Sequence, residues 1–62
     1  MERTEAIRKA RQEARTRDRE YLVYRTGMGQ HRVCSLRDFY RTHSIHLSQL
    51  VFSTELGIIG KS

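Results

Sequence analysis

Proline and tryptophan are absent from this chain, and cysteine occurs once. A lone thiol cannot close an internal disulfide. That excludes the stapled architecture of small secreted domains and leads to the expectation of a reducing, cytoplasmic setting. One cysteine and three histidines also give no arrangement for a closed zinc site. No apolar run approaches the ~20 residues a bilayer span needs, and the first residues are too charged for a secretory signal. With no proline-rich or low-complexity linker and no internal repeat, nothing divides the chain, so residues 1–62 are expected to form a single small domain.

Sixty-two residues are few. A chain of this size hides only about 60% of the surface its unfolded form exposes. Small proteins usually add disulfides, a metal or a partner chain. With the first two disfavoured, a homodimer is expected.

Charge is not scarce. Twelve basic against seven acidic side chains give a net +5. A basic balance favours anionic partners: nucleic acid, acidic protein surfaces or anionic lipid. The segment Arg3 to Glu20 lacks Gly and Pro and reads as one helix, the element of residues 1–20. At 3.6 residues per turn Arg8, Arg11, Arg15 and Arg19 fall within an arc of roughly 80°. Thr4 and Gln12 border that arc and no carboxylate lies inside it. A second face carries Glu2, Glu5, Lys9, Glu13, Arg17 and Glu20, with Glu5–Lys9 and Glu13–Arg17 at the favourable i,i+4 spacing. The third face, Ile7, Ala10, Ala14 and Tyr21, is narrow and mostly small.

Residues 21–34 follow as strand or hairpin. Tyr21 to Arg25 is β-branched and aromatic, Thr26-Gly27-Met28-Gly29-Gln30 supplies turn glycines, and His31 to Cys34 resumes an extended pattern. One alternative runs the first helix through Tyr24 and leaves a single strand near Gln30 to Cys34. A lone hairpin is barely stable, so the strand is expected to pair across a subunit interface. Ser35 and Asp38 have the spacing of a capping box. Beyond them Leu36, Phe39, Tyr40, His43, Leu47, Leu50 and Val51 recur at three and four. That spacing predicts a second amphipathic helix through residues 35–57, ended by Gly57, with a tail at 58–62. A helix–turn–helix divided near Ser44 is the other reading. Ile45, Gln49, Phe52 and Leu56 would project from the opposite side, giving a helix apolar on two sides: they either pack on the first helix or on Ile58 and Ile59 within one chain, or form a dimer seam or partner groove. The fold class expected is α+β: two long helices and a strand or hairpin, packed as an intertwined dimer.

Little here can perform catalysis. Cys34 sits in an extended apolar run, Asp38 has a capping role, and no nucleophile is spaced to a base, so no enzyme and no cofactor are expected. His43 and His46 are three apart, but without a carboxylate or second thiol nearby they are not assigned a metal. Gly60-Lys61-Ser62 lacks the earlier glycine of a phosphate-binding loop, since Glu55 stands there. Gly27 and Gly29 lack the third glycine of a dinucleotide site.

The run Arg8-Lys9-Ala10-Arg11-Gln12-Glu13-Ala14-Arg15 is similar to the arginine-rich RNA-binding helices of phage antitermination proteins. With its size and single cysteine, the chain resembles the short early-region regulatory proteins of temperate lambdoid phages. The resemblance covers residues 1–20 and implies a non-enzymatic effector of host or phage gene expression, working in the host cytoplasm. Two functions are therefore expected. In the preferred one a homodimer captures a host or phage protein through Ile45, Gln49, Phe52 and Leu56, with the arginines steering an acidic partner. In the alternative, Arg8, Arg11, Arg15 and Arg19 contact phosphates of DNA or RNA, and Gln12 reads a base. An arginine stripe can also be a solvated face and nothing more.

Overall fold

A computed structural model describes residues 1–59. Its elements in order are helix α1 (Arg3–Arg17), strands β1 (Tyr21–Arg25) and β2 (His31–Ser35), helix α2 (Leu36–Thr42), one 3₁₀ turn (Leu47–Gln49), and strands β3 (Leu50–Ser53) and β4 (Gly57–Ile58). The class is α+β, with two helices and one antiparallel sheet in the order β2-β1-β3-β4.

Helix α1 forms where the sequence favours it but stops three residues earlier than the composition suggests. Asp18 adopts the left-handed conformation (φ 54°, ψ 51°) and caps the last turn. Aspartate is among the few residues that tolerate this geometry. Beyond it the chain is drawn into the sheet: the Leu36 N–H donates to the Glu20 carbonyl at 3.0 Å, and the Tyr21 N–H donates to Thr54 Oγ1 at 3.0 Å. Arg15 and Arg17 in the final turn complement the helix dipole. Of the two expected i,i+4 pairs, Arg17 donates to Glu13 at 2.9 Å, while Glu5 and Lys9 make no salt bridge with each other.

Residues 21–34 form the hairpin, with Val23 opposite Val33. Its turn closes through Gly29 at φ +84° and a Thr26 N–H to Gln30 carbonyl bond of 2.7 Å. The hairpin needs no strand from a second copy, because β3 of the same chain fills the other edge of β1. The outer edge of β2 is partly covered too, since the His31 N–H donates to the Met1 carbonyl at 3.1 Å.

The long second helix over 35–57 does not form, nor does a helix–turn–helix. Ser35 does cap α2, accepting the Asp38 N–H at 3.1 Å. The helix ends after seven residues, where His43 turns left-handed at φ 61°. His43 is exposed rather than on an apolar face. The reason is competition for Leu50 to Ser53. A bare hairpin leaves one edge of β1 with unpaired backbone groups, and these residues satisfy it. Their short apolar run, Leu50-Val51-Phe52, fits a strand as well as a helix. Gly57 still takes positive φ (+83°), but as the first residue of β4, opposite Ser53, instead of at a helix end. Of the expected tail, Ile58 belongs to β4, and Gly60-Lys61-Ser62 lies outside the described residues.

The core lies between α1 and the sheet: Ala6, Ala10 and Val23 are fully buried and Phe52 is 3% exposed. Small alanines let the helix settle close to the strands, with Ile7, Tyr21, Val33 and Val51 packed around them. Register sends Val23 and Phe52 toward α1, and Leu22 and Ser53 to the opposite face. Ser53 is polar yet fully buried. Its hydroxyl bonds the Glu20 carboxylate and accepts the Glu55 and Leu56 N–H groups at 3.1 and 3.2 Å, which fixes the β3–β4 turn.

The fold separates two residues that a common helix face would have made equivalent. Phe52→Ala should cost ~3–5 kcal/mol through lost burial and a cavity. Leu56 is 78% exposed. At a protein concentration low enough to keep the chain monomeric, its replacement by Ala should change stability by less than about 0.5 kcal/mol. Urea denaturation of both variants checks this, and equal losses would contradict the packing.

Candidate functional site

Because Ala6 and Ala10 point into the core, the remaining faces of α1 are set. Lys9 and Glu13 lie beside the β2 edge, next to Tyr21, His31 and Val33. Arg8, Arg11, Gln12 and Arg15 stay exposed and, with Thr4, Ile7 and Thr16, line an open groove of about 500 Å³ along the helix. No carboxylate contributes to that lining. Among the described residues the one salt bridge is Arg17–Glu13, so Arg8, Arg11 and Arg15 are not committed to an internal acid there.

Arg11 is held differently from its neighbours. Its guanidinium lies 5.3 Å from the centroid of the Phe52 ring. A cation over an aromatic face is attracted by the ring's quadrupole, and the planar group keeps its edge donors free for an anion. The core residue Phe52 thus braces one member of the stripe from beneath.

Arg19 does not join the others. Helix α1 has ended, and Arg19 lies with Asp18, Arg37 and Tyr40 in a separate depression. The acids of the N-terminal segment are also redistributed. Glu13 is paired with Arg17 and holds its guanidinium more firmly protonated, chiefly through their hydrogen bond. Glu20 is bonded to Ser53, Asp18 caps the helix through its backbone and is exposed, and Glu2 and Glu5 remain exposed at the start of the helix.

The four residues expected to share an apolar helix side are dispersed. Ile45 is half-buried in the segment after α2, and Phe52 is interior. Gln49 occupies the 3₁₀ turn, where its side chain accepts the His46 N–H at 2.8 Å and donates to the Arg25 carbonyl at 2.9 Å. Leu56 is exposed in the β3–β4 turn. What the sequence did not reveal is a second groove, of about 310 Å³, on the sheet face away from α1. Leu36, Phe39 and Leu50 line it, and Leu47 and Leu56 stand at its margin. Those residues come from several elements, so no single periodicity marks them.

His31, His43 and His46 are not brought together with other ligands: among the described residues no three metal-ligating side chains cluster. No described helix is long and apolar enough to cross a membrane. Cys34 is half-buried on the hairpin, and burial, reinforced by the Asp38 charge, pushes its thiol up to about 11. No family model, curated protein or solved structure matches the chain.

A raised thiol pKa keeps Cys34 protonated at neutral pH, and only the thiolate is a nucleophile. Iodoacetamide at pH 8 should therefore label Cys34 in the folded protein more than about a hundredfold more slowly than in urea. Equal rates in the two states would contradict the environment described.

Proposed function

We propose that the protein is a small non-enzymatic regulator that binds nucleic acid through the exposed arginine face of α1, acting as a homodimer. The observation that carries this reading is the groove along α1. Arg8, Arg11 and Arg15 line it without a carboxylate, and Gln12 and Thr4 offer neutral hydrogen-bonding groups among them. Guanidinium groups bind phosphate oxygens bidentately and stay charged at every cellular pH. Helix α1 has 15 residues. That makes it ~22 Å long and slim enough to follow a major groove. In this role the arginines position the helix on the backbone, and Gln12 is the side chain suited to a base edge.

Two features raise this reading above capture of a protein by an apolar helix. Two acids of the N-terminal segment are engaged away from the arginine face, Glu13 with Arg17 and Glu20 with Ser53. The apolar helix side that would have captured a protein has no counterpart, because Phe52 is in the core and Gln49 is tied to the backbone of Arg25. An effector of gene expression, as the likeness of residues 8–15 to phage RNA-binding helices suggests, is consistent with this chemistry.

Each phosphate neutralised on B-DNA releases counterions, so three arginine contacts per protomer predict a log–log salt slope of about −2.7. Fluorescence anisotropy with a labelled duplex, titrated at several salt concentrations, measures it. The triple variant Arg8→Ala, Arg11→Ala, Arg15→Ala should flatten the slope and lower affinity at low salt, while a cooperative melt shows that it is folded. Lys9→Ala, on the other side of the helix, should change little. Absence of binding at low salt by the wild type would overturn the proposal.

A further inference from the structure

The arginine face leaves unexplained the opposite side of the sheet. There the described elements leave apolar surface uncovered: Tyr40 is 68% exposed, Leu47 73% and Leu56 78%, around the groove lined by Leu36, Phe39 and Leu50. Among the described residues only five hydrophobic side chains are buried, two of them alanine. We infer that this face is where a second copy of the chain docks, sheet against sheet, so that the dimer carries its arginine helices on opposite outer surfaces and joins two nucleic-acid segments. The joining half of this inference rests on the nucleic-acid reading above; the docking half does not.

Two observations single out a second copy as the occupant. First, the face carries both a recess and projecting leucines beside it, which makes it self-complementary: about a two-fold axis, Leu47 and Leu56 of each copy can enter the other's groove. Second, charges of both signs border it. Glu55 lies at the groove, and Asp18, Arg19 and Arg37 line the adjoining depression. Such a border can pair with its own copy, whereas the arginine face of α1 would repel its own copy.

The consequence for nucleic acid is geometric. Val23 and Phe52 point to α1 while Leu22 and Ser53 point to the groove, so the two surfaces lie back to back across one sheet. Docking through the groove turns the two α1 helices away from each other. They cannot then occupy neighbouring half-sites on one side of a straight duplex, and each is free to hold a separate segment.

The test uses the full chain and its variants Leu47→Glu and Leu56→Glu, made singly. Both side chains are exposed, and thermal melts monitored by circular dichroism report whether each variant is folded. Sedimentation of the wild type should give twice the 7.4 kDa chain mass. Each glutamate should weaken dimerisation by about 30-fold or more, as expected of a central interface residue. Beads carrying an immobilised duplex should recruit a second, fluorescent duplex with wild-type protein, and neither folded variant should support that recruitment while each still binds a single duplex. A wild type that sediments as a monomer at high concentration, or a dimer indifferent to both glutamates, would overturn the docking face. A dimer that saturates with one duplex would overturn the back-to-back arrangement. An intact, glutamate-sensitive dimer with no duplex binding would support the docking face and overturn the nucleic-acid reading alone.

Discussion

Strand β1 has backbone groups on both edges, and the pairing of its free edge with β3 is the constraint on which the rest of the molecule depends. Without that pairing the hairpin would be a two-stranded ribbon, barely stable in water, with little for α1 to rest on. With it, Phe52 stands opposite Val23 beneath the helix, and the two alanines of α1 close over them. One act of strand pairing thus satisfies the backbone and completes the core. It also places Ser53 where its hydroxyl can tie Glu20 to the β3–β4 turn.

The same pairing divides the molecule into two chemically different faces. Val23 and Phe52 meet α1, whose outer side carries exposed arginines; Leu22 and Ser53, joined by Leu50 where a bulge shifts the β1–β3 register, floor an apolar groove walled by α2 and the segment before β3. Charge is therefore segregated from apolar surface across the sheet, not along a helix. Phe52 links the two levels of organisation. It is a core residue by burial and a support for Arg11 by position, so stability and the candidate site share one side chain.

Much of the arginine site was legible from residues 1–17, because it depends on local helix geometry alone. Arg8, Arg11, Gln12 and Arg15 share a face as their spacing requires, whatever the rest of the chain does. Arg19 was lost from the set because the left-handed Asp18 ends the helix, and the bonds that pull Glu20 and Tyr21 into the sheet are long-range. The apolar face was misread for a related reason. Leu47, Leu50 and Val51 mimic helical spacing. The residues that argued for a strand were Val51, Phe52, Ser53 and Thr54, which are β-branched, aromatic or poor helix formers.

The sequence by itself determined the N-terminal helix with Arg8, Arg11 and Arg15 on one face, the glycine turn of the hairpin and the Ser35 cap of α2. All of these follow from a residue's own conformational preference or from neighbours within a turn or two. Only the tertiary structure decided that residues 50–53 are a strand, that Phe52 is interior while Leu56 is exposed, and that the acids Glu13 and Glu20 are engaged away from the arginine groove. Those outcomes hinge on which distant backbone edge was left unsatisfied, a quantity that no local pattern contains.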